Sequence, residues 1–283
     1  MDLGMRYLFL RYPEGKTKAV TLSYDDGPAA DRKMLEILNR YGVKCTFNFN
    51  EKQALTTEET ETLLLGRGHE IAVHGAEHRA PGCQFPVDGI QDVLDGRRAL
   101  ERQFRRVIRG MAYPDSGIRH FENGTSYETV KRCLADLGIV YARTLGGDND
   151  SFRLPEDWFA WTPTAHHNNP VLMDYVRRFT EMDVNGRYCA DRWPRLFYLW
   201  GHSYEFDRDG SWNLLEDFCR AISGREDTWY ATNMEIYEYV TAFRALVRSA
   251  DGSIVYNPAV TTVWFDRDGE LCTVDPGETV YLD

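Results

Sequence analysis

Two adjacent carboxylates, Asp25 and Asp26, stand where the apolar run Val20-Thr21-Leu22-Ser23-Tyr24 meets the turn residues Gly27-Pro28. Neighbouring carboxylates repel unless a cation or a shared proton lies between them, so a strand end that holds both points to a metal site with a base beside it. Asp, Gly and Pro also make ordinary turns, and the run taken alone suits either reading. A second apolar stretch, Glu70-Ile71-Ala72-Val73, delivers His74, with His78 four positions on. Imidazoles at that spacing reach one ion from a helical turn or a tight loop. Zinc accepts nitrogen and carboxylate oxygen together, and its catalytic sites keep three protein ligands and one open position. Asp26, His74 and His78 supply that set, with zinc the expected ion and cobalt or nickel the alternatives.

The elements that must present these groups follow from periodicity. Short β-type runs near 18–24, 44–49, 69–74, 109–113, 139–143, 195–201 and 228–232 alternate with helical patterns, which predicts a parallel sheet with crossover helices. Met34, Leu35, Ile37 and Leu38 share one face of a helix over Asp31 to Tyr41; Val87 to Phe104, Ser126 to Leu137 and Asn233 to Val247 read likewise. Gly42, Gly68 and Gly138 follow helices where left-handed caps are expected. This number of units predicts an α/β fold, a barrel of the (β/α) type, with a doubly wound sheet as the alternative. Asp25, Asp26, His74, the Tyr113-Pro114 turn, Arg143 and His202 all fall at C-terminal strand ends, where barrel enzymes gather their chemistry. Past residue 250 the texture changes to short β-type runs broken by turns, so we expect a barrel over 1–249 and a small antiparallel β appendage over 250–283.

With 283 residues and 43% hydrophobic content the chain can bury a full core, and a net charge of −11 argues against a nucleic-acid surface. Cys45, Cys83, Cys133, Cys189, Cys219 and Cys272 show no CxxC spacing and read as thiols in a reducing compartment. No run approaches a membrane span, and Met1 to Tyr12 is too short and too charged for a signal peptide. The expected location is cytoplasmic, without nucleic-acid or membrane partners; a homo-oligomer is compatible with the sequence.

The chain resembles the NodB-type polysaccharide deacetylases of carbohydrate esterase family 4, over about residues 17 to 245. Their motifs run Thr-Phe-Asp-Asp-Gly-Pro, His-Ser/Thr-x-x-His, Arg-x-Pro-Tyr and Leu-x-His. Here they stand as Leu22 to Pro28, His74-Gly75-Ala76-Glu77-His78, Ala112-Tyr113-Pro114 and Trp200-Gly201-His202. The resemblance implies a distorted (β/α)7-type barrel and a metal-dependent hydrolase that removes acetyl groups from an N- or O-acetylated sugar, oligosaccharide or polysaccharide. Asp25 would be the general base that takes the proton from the attacking water, and His202 the general acid for the leaving group. Tyr24 and Trp200 would wall the acetyl methyl, and a main-chain N–H near Asp115, beside Tyr113, would assist at the oxyanion.

The third motif departs from the pattern, because Ala112 occupies the place of the Arg that orients the base. Arg143 is our substitute, expected to reach across to Asp25; an exposed strand-end Arg is the other reading. No clear counterpart of the Asp that orients the acid stands out among Asp148, Asp150 and Asp157, while Glu205 is expected to hydrogen-bond near the site. His166 and His167 either bind substrate hydroxyls or cap the helix that follows. Two other functions remain open: hydrolysis of a small cyclic amide or ureide, and carbohydrate binding by a relative that has lost catalysis.

Overall fold

Eight successive residues of the strand that carries the carboxylates, Lys18 to Asp25, are all buried, the mark of a parallel strand covered on both faces. The computed structural model describes residues 7–50, 52–115, 117–186 and 191–282. In chain order the elements are β1 (Leu8–Arg11), β2 (Lys18–Asp25), α1 (Asp31–Tyr41), β3 (Cys45–Phe49), α2 (Thr57–Glu59), β4 (Glu70–Val73), α3 (Pro86–Phe104) and β5 (Gly110–Ala112). There follow α4 (Tyr127–Asp136), β6 (Tyr141–Arg143), β7 (Ala165–His166), α5 (Leu172–Glu181), β8 (Arg195–Gly201), α6 (Ser203–Asp209), α7 (Trp212–Ile222), β9 (Thr228–Tyr230) and α8 (Asn233–Arg244). The chain ends on β10 (Val247–Arg248), β11 (Ile254–Tyr256), β12 (Val263–Arg267), β13 (Glu270–Val274) and β14 (Thr279–Tyr281).

The main sheet has the order β6-β5-β4-β3-β2-β8-β7, parallel throughout, and it curls into a half-barrel of the (β/α)7 type. The segment from Trp161 to His166 approaches both edges: Trp161 N–H donates to Ala142 O (3.1 Å) on β6, and Thr164 N–H to Tyr198 O (2.7 Å) on β8. Periodicity located most of these strands to within a residue or two. It missed β7, whose two residues are too few to show alternation. The expected strand near 228–232 is instead a short piece, β9, paired only with the start of β2.

The helices cover the sheet as their apolar faces require. α1 buries Met34, Leu35, Ile37 and Leu38 and ends at Gly42, whose φ of 66° lets its N–H reach Leu38 O. The barrel core joins these to Val20, Leu22, Phe47, Phe49, Val73, Met111, Phe197 and Leu199. A second core is aromatic, with Tyr12, Tyr141, Trp161, Tyr198 and Tyr239 between β8 and α8.

Residues after α8 form two antiparallel sheets, and their composition is not that of a purely C-terminal unit. One has the order β10-β11-β14; the other is β1-β12-β13, so a strand from the start of the chain pairs Leu8 with Arg267 through Arg11 with Trp264. Arg11 is buried there, donating to Leu10 O (3.0 Å) and Arg192 O (2.9 Å) and lying 3.5 Å from Asp266. Cys45 and Cys219 are buried and Cys83, Cys133 and Cys272 partly so, while Cys189 falls outside the described residues. Among the described residues no helix is long and apolar enough to cross a membrane.

Candidate active site

At the C-terminal mouth of the sheet a cleft of about 280 Å³ is lined by Asp25, Asp26, His74, His78, Tyr113, Asp115, Leu145, Trp200, His202 and Tyr204. Consecutive strand residues face opposite sides, so Asp25 and Asp26 cannot both enter it from an unbroken strand. The chain solves this by ending β2 at Asp25 and giving Asp26 a φ of 74°. That left-handed turn, followed by Gly27 at 66°, swings the second carboxylate into the same mouth.

One oxygen of Asp26 and one nitrogen each of His74 and His78 lie within 4.8 Å of one another. His78 Nε2 is 3.3 Å and His74 Nε2 3.7 Å from Asp26 Oδ1. His74 is buried and its Nδ1 lies 2.9 Å from Ala112 O; a carbonyl only accepts, so Nδ1 carries the proton and the Nε2 lone pair faces Asp26. Burial lowers the His74 pKa, against the nearby charge of Asp25, which keeps the imidazole neutral as a ligand must be. This donor set of one carboxylate and two imidazoles fits a divalent transition metal.

Asp25 sits just behind, fully enclosed. Asn48, its register partner on β3, donates from Nδ2 to Asp25 Oδ1 at 2.8 Å, and Arg143 Nη2 donates to Oδ2. Arg143 is itself buried, its guanidinium 4.5 Å from the Trp200 ring centroid. Burial would raise the Asp25 pKa, but Arg143 and then His74 and His202 outweigh it, and the carboxyl is held below its ordinary value. Ala112 and Arg143 are neighbours in register across β5 and β6, so the cation arrives from one strand further over.

Across the cleft, His202 Nε2 is 3.9 Å from both Asp25 Oδ2 and Asp26 Oδ2. Burial lowers its pKa, yet Glu205 and the two aspartates more than offset this, and the imidazole ends raised. Glu205 Oε2 lies 3.5 Å from His202 Nδ1, 3.1 Å from His166 Nε2 and 3.3 Å from His167 Nε2. Burial raises the Glu205 carboxyl, but His166 and His202 lead the groups that outweigh it and hold it well below the usual range.

The sequence candidates therefore separate into those that line the cleft and those that lie beneath it. Tyr113 lines the cleft while its hydroxyl donates to Phe159 O (2.9 Å), and Asp115 Oδ1 stands 3.7 Å from His78 Nδ1. Tyr24 is wholly buried, stacked on His167 at 5.6 Å between centroids and on Phe206 at 6.1 Å. His166 and His167 turn their rings onto Glu205. Burial leads in lowering the His167 pKa to about 3, and a Cβ at Gly201 would collide with its ring, which explains a glycine at the end of β8. The aspartates weighed as acid-orienting groups are engaged elsewhere: Asp148 accepts from Asn169 and Tyr175, Asp150 from Arg178, and Asp157 from Tyr127 and Lys131. Leu145 was not foreseen as lining, and Asn48 carried no sequence signal beyond its place in a strand.

The half-barrel fold is shared with several solved structures. A candidate polysaccharide deacetylase from Mycobacterium smegmatis is 20% identical, with a TM-score of 0.56 over 85% of this chain and 96% of that one. Puue allantoinase is 13% identical (TM-score 0.57, 80% and 91% covered), and the Xyl-CE4 domain of a multidomain xylanase from the hindgut metagenome of Trinervitermes trinervoides is 16% identical (TM-score 0.51, 80% and 92% covered). At these identities the likeness is one of fold. Residues 12–141, which carry Asp25, Asp26, His74, His78 and Ala112, match the polysaccharide deacetylase family. No curated protein matches the chain in sequence.

Proposed function

We propose that the protein is a metal-dependent hydrolase that removes acetyl groups from an N- or O-acetylated sugar, oligosaccharide or polysaccharide. The observation that carries this reading is the convergence of Asp26, His74 and His78 donor atoms within 4.8 Å, with the carboxylate of Asp25 beside them. Zinc is the ion we expect, held by those three residues. When bound it polarises the acyl carbonyl and acidifies a water, the chemistry that hydrolysis at neutral pH requires.

The chain's own residues do the rest. Asp25, ionised and fixed by Asn48 and Arg143, accepts the proton of the attacking water. Because Asn48 holds Oδ1 and Arg143 Nη2 holds Oδ2, the carboxylate cannot rotate freely, and Oδ2 faces the cleft 3.9 Å from both His74 Nε2 and His202 Nε2. His202, on the opposite wall, protonates the departing nitrogen or oxygen from Nε2. Trp200, Tyr113 and Leu145 narrow the cleft around the acyl group and limit water. The buried Asp25–Arg143 pair supports catalysis over carbohydrate binding alone, since a base held ionised has no use in a site that only binds. A cytoplasmic address is part of this proposal.

The test is a screen of the zinc-loaded protein against acetylated chitooligosaccharides and acetylated xylooligosaccharides, with allantoin and cyclic imides alongside. Acetate release is expected from at least one acetylated sugar. Ring opening of an imide or ureide without acetate release would replace this reading by the amidohydrolase one.

A further inference from the structure

Three imidazoles converge on a single oxygen of Glu205, and the proposed reaction uses only one of them. Glu205 is the third residue of α6, and His202 is the helix N-cap. Helical geometry therefore places the carboxylate over the residue three positions back, where Glu205 Oε2 accepts from the His202 main-chain N–H at 3.3 Å and stands 3.5 Å from its Nδ1. The other side of the same oxygen is held by β7, with His166 Nε2 at 3.1 Å.

The four groups have a spacing that a cation would tolerate, and the backbone decides against one. The Asn168 N–H donates to His166 Nδ1 at 3.1 Å. A neutral imidazole whose Nδ1 accepts has its proton on Nε2, so His166 presents an N–H to Glu205 and no ligand lone pair. The carboxylate is then an acceptor between two N–H groups.

We propose, on the deacetylase reading above, that Glu205 and His166 form a positioning pair behind His202: His166 pins the carboxylate, and the carboxylate fixes His202 with its Nδ1 protonated and its Nε2 aimed into the cleft. In the reaction the proton leaves His202 Nε2 for the leaving nitrogen or oxygen, and the electrons of the broken N–H bond stay on the ring. The neutral tautomer that results keeps Nδ1–H, which Glu205 accepts without itself taking up a proton. A ring turned over would offer the cleft a carbon. The 3.5 Å separation is long for a hydrogen bond, as such contacts often are before substrate closes the site.

The experiment compares zinc-loaded wild type with Glu205→Gln, His166→Gln and the double variant. Gln keeps the helix cap and removes the charge, so folding is spared. Two substrates are used, an acetylated oligosaccharide whose leaving group needs a proton and 4-nitrophenyl acetate whose leaving group does not. Glu205→Gln is expected to lower kcat on the sugar by about 10–100-fold with KM little changed, and to lose at least about tenfold less on the aryl ester. His166→Gln is expected to lose less than Glu205→Gln, and the double variant no more than Glu205→Gln alone. Equal losses on both substrates, or losses that multiply, would overturn the pair. So would a second equivalent of zinc in wild type that Glu205→Gln abolishes. Long-range 15N–1H spectra of the same wild-type protein give a readout apart from turnover: Nδ1–H at His202 and Nε2–H at His166 are expected. The reverse tautomers would refute the pair even in an active enzyme, whereas the expected tautomers in a protein that releases no acetate would refute the deacetylase reading.

Discussion

In the proposed reaction Asp25 serves as base only while it is ionised, enclosed and unable to turn away, and Asn48, Arg143 and burial meet those conditions. Asn48 and Arg143 hold its two oxygens, and burial keeps water from competing. Replacing Asp25 by Asn is expected to lower kcat by about 10²–10⁴-fold, the usual range for a positioned base. Arg143→Ala leaves a buried carboxylate without its cation, so about 3–5 kcal/mol of stability is expected to be lost along with most of the rate. Steady-state kinetics and urea denaturation of both variants check this, and an Arg143→Ala enzyme of wild-type rate would remove Arg143 from the account. The cluster of Asp26, His74 and His78, with Asp25 beside it, was legible in the sequence because each part is a short motif at a strand end. Arg143 was legible too, as the last residue of the strand beside the one where Ala112 replaces the usual Arg. The contacts of Glu205 with His166 and His167 were not, since they depend on how the loop after Trp161 returns to the sheet.

At the scale of elements, the turn after β2 and the first turn of α1 are bound to the mouth of β8 by one buried link. Ser203 Oγ donates to Asp31 Oδ1 at 2.5 Å, directly after His202. Burial pushes the Asp31 carboxyl up to about 8, against that hydrogen bond, with the charges of Asp26 and Asp25 adding to the rise. The folded protein therefore holds a proton that the unfolded chain releases above about pH 4. The stabilisation is complete below that pH and fades as pH rises through about 8, with a slope of up to about 1.4 kcal/mol per pH unit. Denaturation midpoints measured from pH 5 to 9 are expected to fall with pH in wild type and to fall less in Asp31→Asn. An unchanged slope in the variant would show that Asp31 is not the group responsible. The strands and helices themselves were legible wherever a run was long enough to show its period, as in Lys18–Asp25 and Asp31–Tyr41. β7, with two residues, had no period to show, and the place beside β8 was filled by a piece of chain that reads as loop.

In the whole molecule the first strand shares one sheet with two late strands, β12 and β13. β1 pairs with β12 across more than 250 residues, and no local pattern in either strand announces the other. Arg11 ties that sheet to the loop before β8 through Arg192 O and to β12 through Asp266. Arg11→Ala is expected to cost about 3 kcal/mol, at the low end for a buried pair because Arg192 still meets Asp266. If the terminal strands and the barrel unfold together, tryptophan fluorescence and far-ultraviolet circular dichroism will give one coincident transition, shifted to lower urea in the variant. Two separated transitions would show that they are independent units. The central claim, that one divalent ion held by Asp26, His74 and His78 sustains acetyl hydrolysis, is tested most directly by titrating zinc into chelator-stripped protein while acetate release from an acetylated oligosaccharide is followed. The account expects almost no release from the stripped protein and full recovery at one equivalent of zinc; full activity without metal would contradict it.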